Sequence, residues 1–301
     1  MNSQPVHISV CICTFKRPEL LKRLLDRLEG QITKGLFTYS IIIADNDARQ
    51  SAGGVVAAQA AASSIEIIYV VEPRQNIALA RNSALENSKG DYIALIDDDE
   101  IPEMNWLLGL LQACLFYRAD GVLGPVRPYF EHDPPSWVIQ GRFFDRPAHA
   151  TGYFLNWTET RSGNVLFKKD IIQGIKNPFR AEFGTGSEDV DFFRRMIGQG
   201  RTFVWCAEAA VAEYVPPARC RRSYQIKKAL LRGGNALKHK TPYRTRGILK
   251  SLAALPLYGL ALPFLYIAGD HLFMKYLISF CDHAGKLLKL LHINPVRERD
   301  L

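Results

Sequence analysis

The chain has 301 residues, of which 48% are hydrophobic and 23% charged, with a formal net charge of +8. That composition buries a sizeable core and excludes an intrinsically disordered chain. No glycine period and no sustained heptads occur, which excludes collagen and coiled coil. Six cysteines (Cys11, Cys13, Cys114, Cys206, Cys220, Cys281) are too few for a disulfide scaffold and form no Cys-x-x-Cys pair. Cys11 and Cys13 lie two apart in an apolar run and read as core residues on one strand face. The opening residues carry no basic-then-apolar leader pattern, so a reducing cytosol is expected. The charge is unevenly spread. Residues 1–200 hold 21 Lys and Arg against 24 Asp and Glu, whereas residues 201–301 hold 17 against 6. A near-neutral body with a basic tail points to nucleic acid or an anionic membrane surface.

In chain order, residues 7–15 are a β-branched apolar strand. Residues 17–29 carry Leu20, Leu21, Leu24, Leu25 and Leu28 at helical spacing, with Pro18 tolerated in the first turn. A strand is expected at 39–44, a helix at 54–62, a strand at 65–71, a helix at 77–88 ending at Gly90, and a strand at 92–96. This alternation predicts an α/β fold built on a mainly parallel sheet. In open parallel sheets, ligands gather at the carboxyl ends of the strands. Those ends are polar here: Thr14-Phe15-Lys16-Arg17, Asp45-Asn46-Asp47 and Asp97-Asp98-Asp99-Glu100. A dinucleotide fingerprint after the first strand is absent, and Gly184-x-Gly186 far downstream reads as a loop.

Four successive acids raise one another's pKa unless a cation sits among them. Hard oxygen ligands of this kind suit Mg²⁺ or Mn²⁺ completed by substrate phosphates. A solvated acidic turn before the helix that follows Pro102 has the same composition. Their place after an apolar strand, downstream of a second acidic strand end, favours the metal–diphosphate reading.

In order and spacing, the motifs from about residue 7 to 215 resemble the glycosyltransferase family 2 enzymes of GT-A fold. The matching stretches are Cys13-Thr14-Phe15-Lys16-Arg17-Pro18, Asp45-Asn46-Asp47, Asn76-x-x-x-x-Arg81-Asn82, Gly90-Asp91-Tyr92-Ile93 and Asp97-Asp98-Asp99-Glu100. They continue through Gly163-Asn164-Val165-Leu166-Phe167 and Ser187-Glu188-Asp189-Val190-Asp191-Phe192. The opening motif, the four acids and Gly124-Pro125-Val126 are most similar to bacterial exopolysaccharide glycosyltransferases of the succinoglycan type.

The resemblance implies a role for each matching residue. Thr14 and Phe15 match positions touching the nucleotide base, and Asp45 the acid that hydrogen-bonds uracil. Arg81 matches the nucleotide-side arginine and Asp97 the acid near the ribose. Arg17, Asn76, Asp98 and Asn164 belong with the nucleotide-sugar contacts. Asp99, with Asp97, matches the metal site for Mn²⁺ or Mg²⁺. Asp189 matches the catalytic base, with Glu188 next to it as the other candidate. Helix N-terminal charge is the plainer explanation of both acids. Sugar transfer from a nucleotide diphosphate needs a neutralised leaving group, a deprotonated acceptor hydroxyl and their alignment, which these groups supply. One base with in-line displacement predicts inversion at the anomeric carbon. Trp137, Tyr153 and Trp157 are candidates for stacking on sugars and equally for ordinary core positions.

Two departures from the family pattern stand out. Ala212-Glu213-Tyr214-Val215 occupies the segment where many members carry a histidine, which makes Glu213 a possible substitute ligand. Gln225-Ile226-Lys227-Lys228-Ala229 lacks the Arg-Trp pair of processive synthases, so transfer of a single sugar is expected.

The tail carries an uncharged run at 251–269, interrupted by Pro256, Gly259 and Pro263, and a second apolar stretch at 272–291 with Lys275, Lys286 and Lys289. Basic residues flank both ends. An interfacial helical pair keeps both flanks on one side, whereas a single span exports one of them. A buried helix pair or a dimer contact is the alternative. Nucleic acid fits worse, because long aliphatic runs separate the basic residues. The expected layout is a GT-A catalytic domain over 1–220, with a nucleotide-binding half (1–100) and an acceptor half (101–220), followed by a helical membrane-associating region over 221–301. Removing residues after about Thr241 is expected to release the protein from membranes. The expected enzyme is an inverting, metal-dependent, non-processive hexosyltransferase using a nucleotide-sugar donor, a UDP-hexose in the family pattern. Its acceptor is lipid-linked or a saccharide, at the cytoplasmic face of the inner membrane. A nucleotidyltransferase of related architecture and an inactive membrane-bound subunit are the competing readings.

Overall fold

The computed structural model describes residues 5–184, 186–237 and 244–296. Thr185 and Thr241 lie outside them. The elements in chain order are β1 (Val6–Thr14), α1 (Pro18–Leu28), β2 (Phe37–Asp45), α2 (Gly53–Ala62), β3 (Ile67–Val71), α3 (Ile77–Glu86), β4 (Tyr92–Asp97) and β5 (Glu100–Pro102). They continue with α4 (Trp106–Phe116), β6 (Gly121–Leu123), β7 (Val126–Tyr129), α5 (Ser136–Gly141), β8 (Val165–Lys168), α6 (Glu188–Gly198), β9 (Phe203–Trp205) and β10 (Val211–Tyr214). Three helices close the chain: α7 (Arg222–Asn235), α8 (Arg244–Ala268) and α9 (Asp270–Leu290).

Two compact units emerge, one of Met1–Arg127 with Arg146–Tyr214 and the other of Pro128–Asp145 with Val215–Leu301. The segment Pro128–Asp145 thus leaves the first unit and belongs with the C-terminal helices.

The first unit is built on a seven-stranded sheet in the order β3-β2-β1-β4-β8-β6-β9. β1 to β4 are mutually parallel, as the alternating strand and helix patterns predict, while β8 runs antiparallel to both β4 and β6. The strands are apolar on both faces, which is the mark of a sheet covered on both sides. One layer holds the leucines of α1 and the α4 stripe Trp106, Leu107, Leu110 and Leu111. The other holds Ala78, Ala80 and Ala84 of α3 with Phe192, Phe193 and Met196 of α6. The register sets Thr14 beside Asp45, and Cys13 beside Asp97. Three polar strand ends therefore meet along one edge. β5 pairs antiparallel with β10, placing Glu100 opposite Glu213.

The second unit has its own small core of Trp137, Val138, Val215, Cys220 and Met274. α7 and α9 approach so closely at Gly285 that a Cβ there would run into the Leu230 carbonyl oxygen. Arg232 Nε also donates to Asp282 Oδ1 at 2.9 Å between the same helices. α8 lies against α9, where the Ser251 hydroxyl and His283 Nδ1 meet at 2.9 Å. Its other face is bare. Within it, Gly247–Ala268 has a mean hydropathy of 1.7 and is 6% buried, and among the described residues it is the one helix long and apolar enough to cross a membrane.

Candidate active site

The site grows from the polar ends of β1, β2 and β4. Asp97, Asp98 and Asp99 follow one another where β4 ends, and their carboxylates part company. Asp98 is buried: it accepts from the Thr14 hydroxyl at 2.8 Å and from Arg17 Nη1 at 3.1 Å. Burial pushes its carboxyl up to about 6, against the pull of Arg17. Asp99 shares the same guanidinium at 3.2 Å. Asp97 is the open member, its side chain 45% exposed, with one oxygen held by Arg81 at 3.3 Å.

Arg81 joins the two halves of the site. From α3 it reaches Asp97 at the end of β4 and also ion-pairs with Glu188 at the start of α6. Both Arg81 and Glu188 are buried. Asp189, the next residue, is half-buried, and its Oδ1 accepts from the Val190 N–H at 2.8 Å. A paired Glu188 beside a more open Asp189 separates two acids that sequence alone left together.

Other predicted contacts are committed within the protein. Asp45 has no exposed surface; its carboxylate accepts from the Asp47 N–H, the Ala52 N–H and the Tyr69 hydroxyl. These bonds shape the loop after β2, where the resemblance places the uracil contact. Asn164 is equally enclosed. Its amide donates to the Pro125 and Ala209 carbonyls and accepts from Trp106 Nε1. Its left-handed backbone, φ 56°, turns the chain into β8. Asn76 caps α3 through the Ala78 and Leu79 N–H groups and donates to the Ala181 carbonyl. Asn46 donates to the Glu72 and Arg74 carbonyls and accepts from the Asn76 N–H, tying the loop after β2 to the start of α3. Thr14 is buried with its hydroxyl on Asp98, whereas Phe15 is half-buried with the Lys16 ammonium 4.9 Å from its ring centre. Arg17 reaches the acids from an exposed position.

Three further groups belong to this site, of which Arg161 escaped the sequence reading. Glu100 is buried, accepts from the Asp97 N–H at 3.1 Å, and has its carboxyl raised well above its ordinary range by burial and by Asp97. A Cβ at Gly163 would run into Glu100 and lie 3.2 Å from Asp97 Oδ2, so only glycine lets this loop close over the acids. Arg161, two residues earlier, is lowered to about 10 by burial and by Arg146, and Glu100, Glu213 and Asp189 oppose that shift. Glu213 itself ion-pairs with Arg146. Gly163-Asn164 drew attention to this loop, but no spacing rule singles out a lone arginine ahead of it.

Among the described residues, no three His, Cys, Asp or Glu side chains group closely enough to hold a metal by protein atoms alone. The donor set still fits one class of ion. Asp97 and Asp99 offer hard oxygens at the end of β4. Mg²⁺ and Mn²⁺ bind through one or two carboxylates, retained waters and substrate phosphates.

The chain is similar to known proteins in sequence and in fold. Residues 9–175 match the model of Glycosyl transferase family 2. The chain is 34% identical over 238 residues to the succinoglycan biosynthesis protein ExoM of Rhizobium meliloti (strain 1021), spanning 77% of this chain and 75% of that one. Mannosyltransferase PcManGT from Pyrobaculum calidifontis, solved with GDP-Man and Mn²⁺, superposes with a TM-score of 0.65 at 15% identity, covering 97% of this chain and 89% of that one. S. aureus TarS 1–349, solved with UDP, gives a TM-score of 0.55 at 13% identity over 96% and 93% of the two chains. The fold is the GT-A fold, and the chain belongs to glycosyltransferase family 2.

Proposed function

We propose that this glycosyltransferase moves a hexose from a nucleotide diphosphate sugar, UDP-linked, to a lipid-linked saccharide in exopolysaccharide biosynthesis. One observation carries the reading. Arg81 bridges Asp97 to Glu188, and so fixes Asp189 in the same unit as the acids at the end of β4. A donor binds along the ends of β1, β2 and β4, with its base against Phe15 and the loop that Asp45 and Asn46 hold in shape. A divalent cation on Asp99 and Asp97, when bound, supplies charge neutralisation to the departing diphosphate. Asp189 takes the proton from the acceptor hydroxyl; the oxygen bonds to the anomeric carbon as the bond to the diphosphate breaks, which inverts that centre. Glu188 orients Arg81 and leaves the base role to its neighbour. One sugar is added per encounter, because the helix at 222–235 lacks the Arg-Trp pair of processive enzymes. ExoM and its role in succinoglycan biosynthesis support the polysaccharide setting.

The reading assigns chemistry to residues 1–220 and membrane attachment to residues 221–301. The bare apolar face of α8, with basic residues around it, supports attachment to the cytoplasmic face of the inner membrane in an interfacial pose. The test is incubation of the full chain with a panel of nucleotide sugars, with and without Mn²⁺. Slow Mn²⁺-stimulated UDP release is expected. Release of pyrophosphate from nucleoside triphosphates would replace transfer of sugar with transfer of nucleotide, and silence toward every donor would mark an inactive subunit.

A further inference from the structure

The second unit contains a cavity that plays no part in the chemistry above. It has a volume of about 400 Å³, within the range of about 300–1,000 Å³ in which small-molecule sites fall. Its apolar lining and its charged lining differ in depth. Trp137, Val215 and Cys220 are buried, whereas His132, Asp133, Arg221 and Arg222 are exposed. The cavity is therefore apolar at its base and charged at its mouth.

Several of the lining backbone groups have no N–H to offer. Pro134, Pro135 and Pro217 line it and have no N–H to give. The Val215 N–H is bonded to the Tyr129 carbonyl at 2.9 Å, and the Arg221 N–H to the Ala218 carbonyl at 3.2 Å. At the base, these groups offer a sugar no replacement for its hydrogen bonds to water. Trp137 gives it no platform either, being buried and packed edge-on against Phe143 with ring centres 5.0 Å apart. Hydrocarbon meets neither penalty.

At the mouth, Arg222 is engaged by Asp270 of α9. Arg221 is exposed and makes no ion pair among the described residues. The carboxylates of Glu131 and Asp133 also line this cavity and disfavour a highly charged head. A single phosphate ester matches that balance.

We infer that this cavity holds the hydrocarbon end of the lipid-linked acceptor, with the phosphate that joins chain to sugar set against Arg221. The inference rests on the lipid-linked acceptor proposed above. It gives the second unit a task beyond attachment: selecting the acceptor by its lipid.

Farnesyl phosphate is the probe, titrated calorimetrically into the full chain in detergent. Cys220→Phe places a ring in the base and should weaken binding at least about tenfold, the factor for displacing two buried methylenes. Arg221→Glu should weaken farnesyl phosphate several-fold and leave farnesol unchanged. Both variants should retain wild-type hydrolysis of nucleotide sugar, and with a lipid-linked acceptor both should raise KM with little change in kcat. Unaltered binding in the folded variants overturns the inference, as does equal competition by phosphatidylglycerol, which would make this a general lipid site. If Cys220→Phe fails to fold, Arg221→Glu, on an exposed residue, decides alone. A wild-type chain that binds farnesyl phosphate but hydrolyses no nucleotide sugar defeats the proposed reaction and spares the cavity. Hydrolysis with no farnesyl phosphate binding does the reverse.

Discussion

The two units use the same residue types in opposite ways. In α1, Leu24 is fully buried, whereas in α8 Leu260 is 72% exposed and Ile267 85%. Charge is inverted as well. The first unit hides Asp45, Arg81, Asp98, Glu100 and Glu188 among its strand ends, while the second wears its Arg222–Asp270 and Arg232–Asp282 pairs on the outside. Exposed pairs contribute at most about 1 kcal/mol. Buried ones barely repay their desolvation, so their retention points to a task other than stability. On the function proposed above, the contrast teaches how each unit meets its partner: the first through charge gathered inside, the second through apolar surface left outside.

The sharpest way to break that comparison is to neutralise the inner charge. Asp99→Asn should abolish Mn²⁺-dependent donor binding, read by calorimetry with UDP-sugar; unchanged Mn²⁺ dependence would move the metal elsewhere. Asp189→Asn should spare nucleotide affinity while transfer falls about 10²-fold or more, because only the proton acceptor is lost. Near-normal turnover would reassign the base. Glu188→Ala leaves the buried Arg81 with Asp97 as its remaining carboxylate partner and should cost about 1–3 kcal/mol in denaturant unfolding, the penalty for a buried polar group that loses one of its partners. Replacing both partners, as Arg81→Met with Glu188→Leu, should restore part of that stability without restoring activity.

A smaller effect follows from Asp98. Its folded carboxyl is raised to about 6 from 3.8, so the folded state favours the protonated form. The sign is fixed by linkage: stability is greatest below the unfolded value and declines as pH rises from about 4 to about 6. Urea unfolding across that window, without metal, should show the decline in wild type and a flatter profile in Asp98→Asn. An identical slope in both would place the titration on another group.

How far the sequence reaches depends on the length scale of each feature. Alternating apolar strands and helices are local patterns, and β1 to β4 with α1 to α3 lie within a few residues of their expected positions. The antiparallel strand β8 and the departure of Pro128–Asp145 to the second unit depend on distant pairing that no local periodicity encodes. The site shows the same limit. The acids at the end of β4 were legible as a cluster, but which one faces outward was not. Thr14 and Arg17 decide it, from a different strand end, by claiming Asp98. Asp45 and Asn164 matched a family pattern by position, and only the tertiary structure reveals them as buried loop builders. Arg161 had no local signature because the acids whose charge it feels, Glu100, Glu213 and Asp189, come from three other segments.

The gentlest prediction tests the outer surface. Leu24→Ala in α1 removes atoms from a packed core and should cost about 2–5 kcal/mol. Leu260→Ser in α8 removes them from an exposed face and should change stability by no more than about 0.5 kcal/mol. The same substitution should be costly where the face has a partner. Burying a leucine is worth about 1.5–3 kcal/mol, so each such change should weaken partition into anionic vesicles by about tenfold or more. Leu257→Ser lies one turn away on the same helix and should act alike, nearly additively, since neither leucine is engaged in the core. Flotation with phosphatidylglycerol vesicles measures the partition, and denaturant unfolding measures the stability. Should Leu260→Ser destabilise the chain as Leu24→Ala does, with no change in flotation, the α8 face would be a packed protein interface, and size measurement of wild type should then reveal the second copy that covers it.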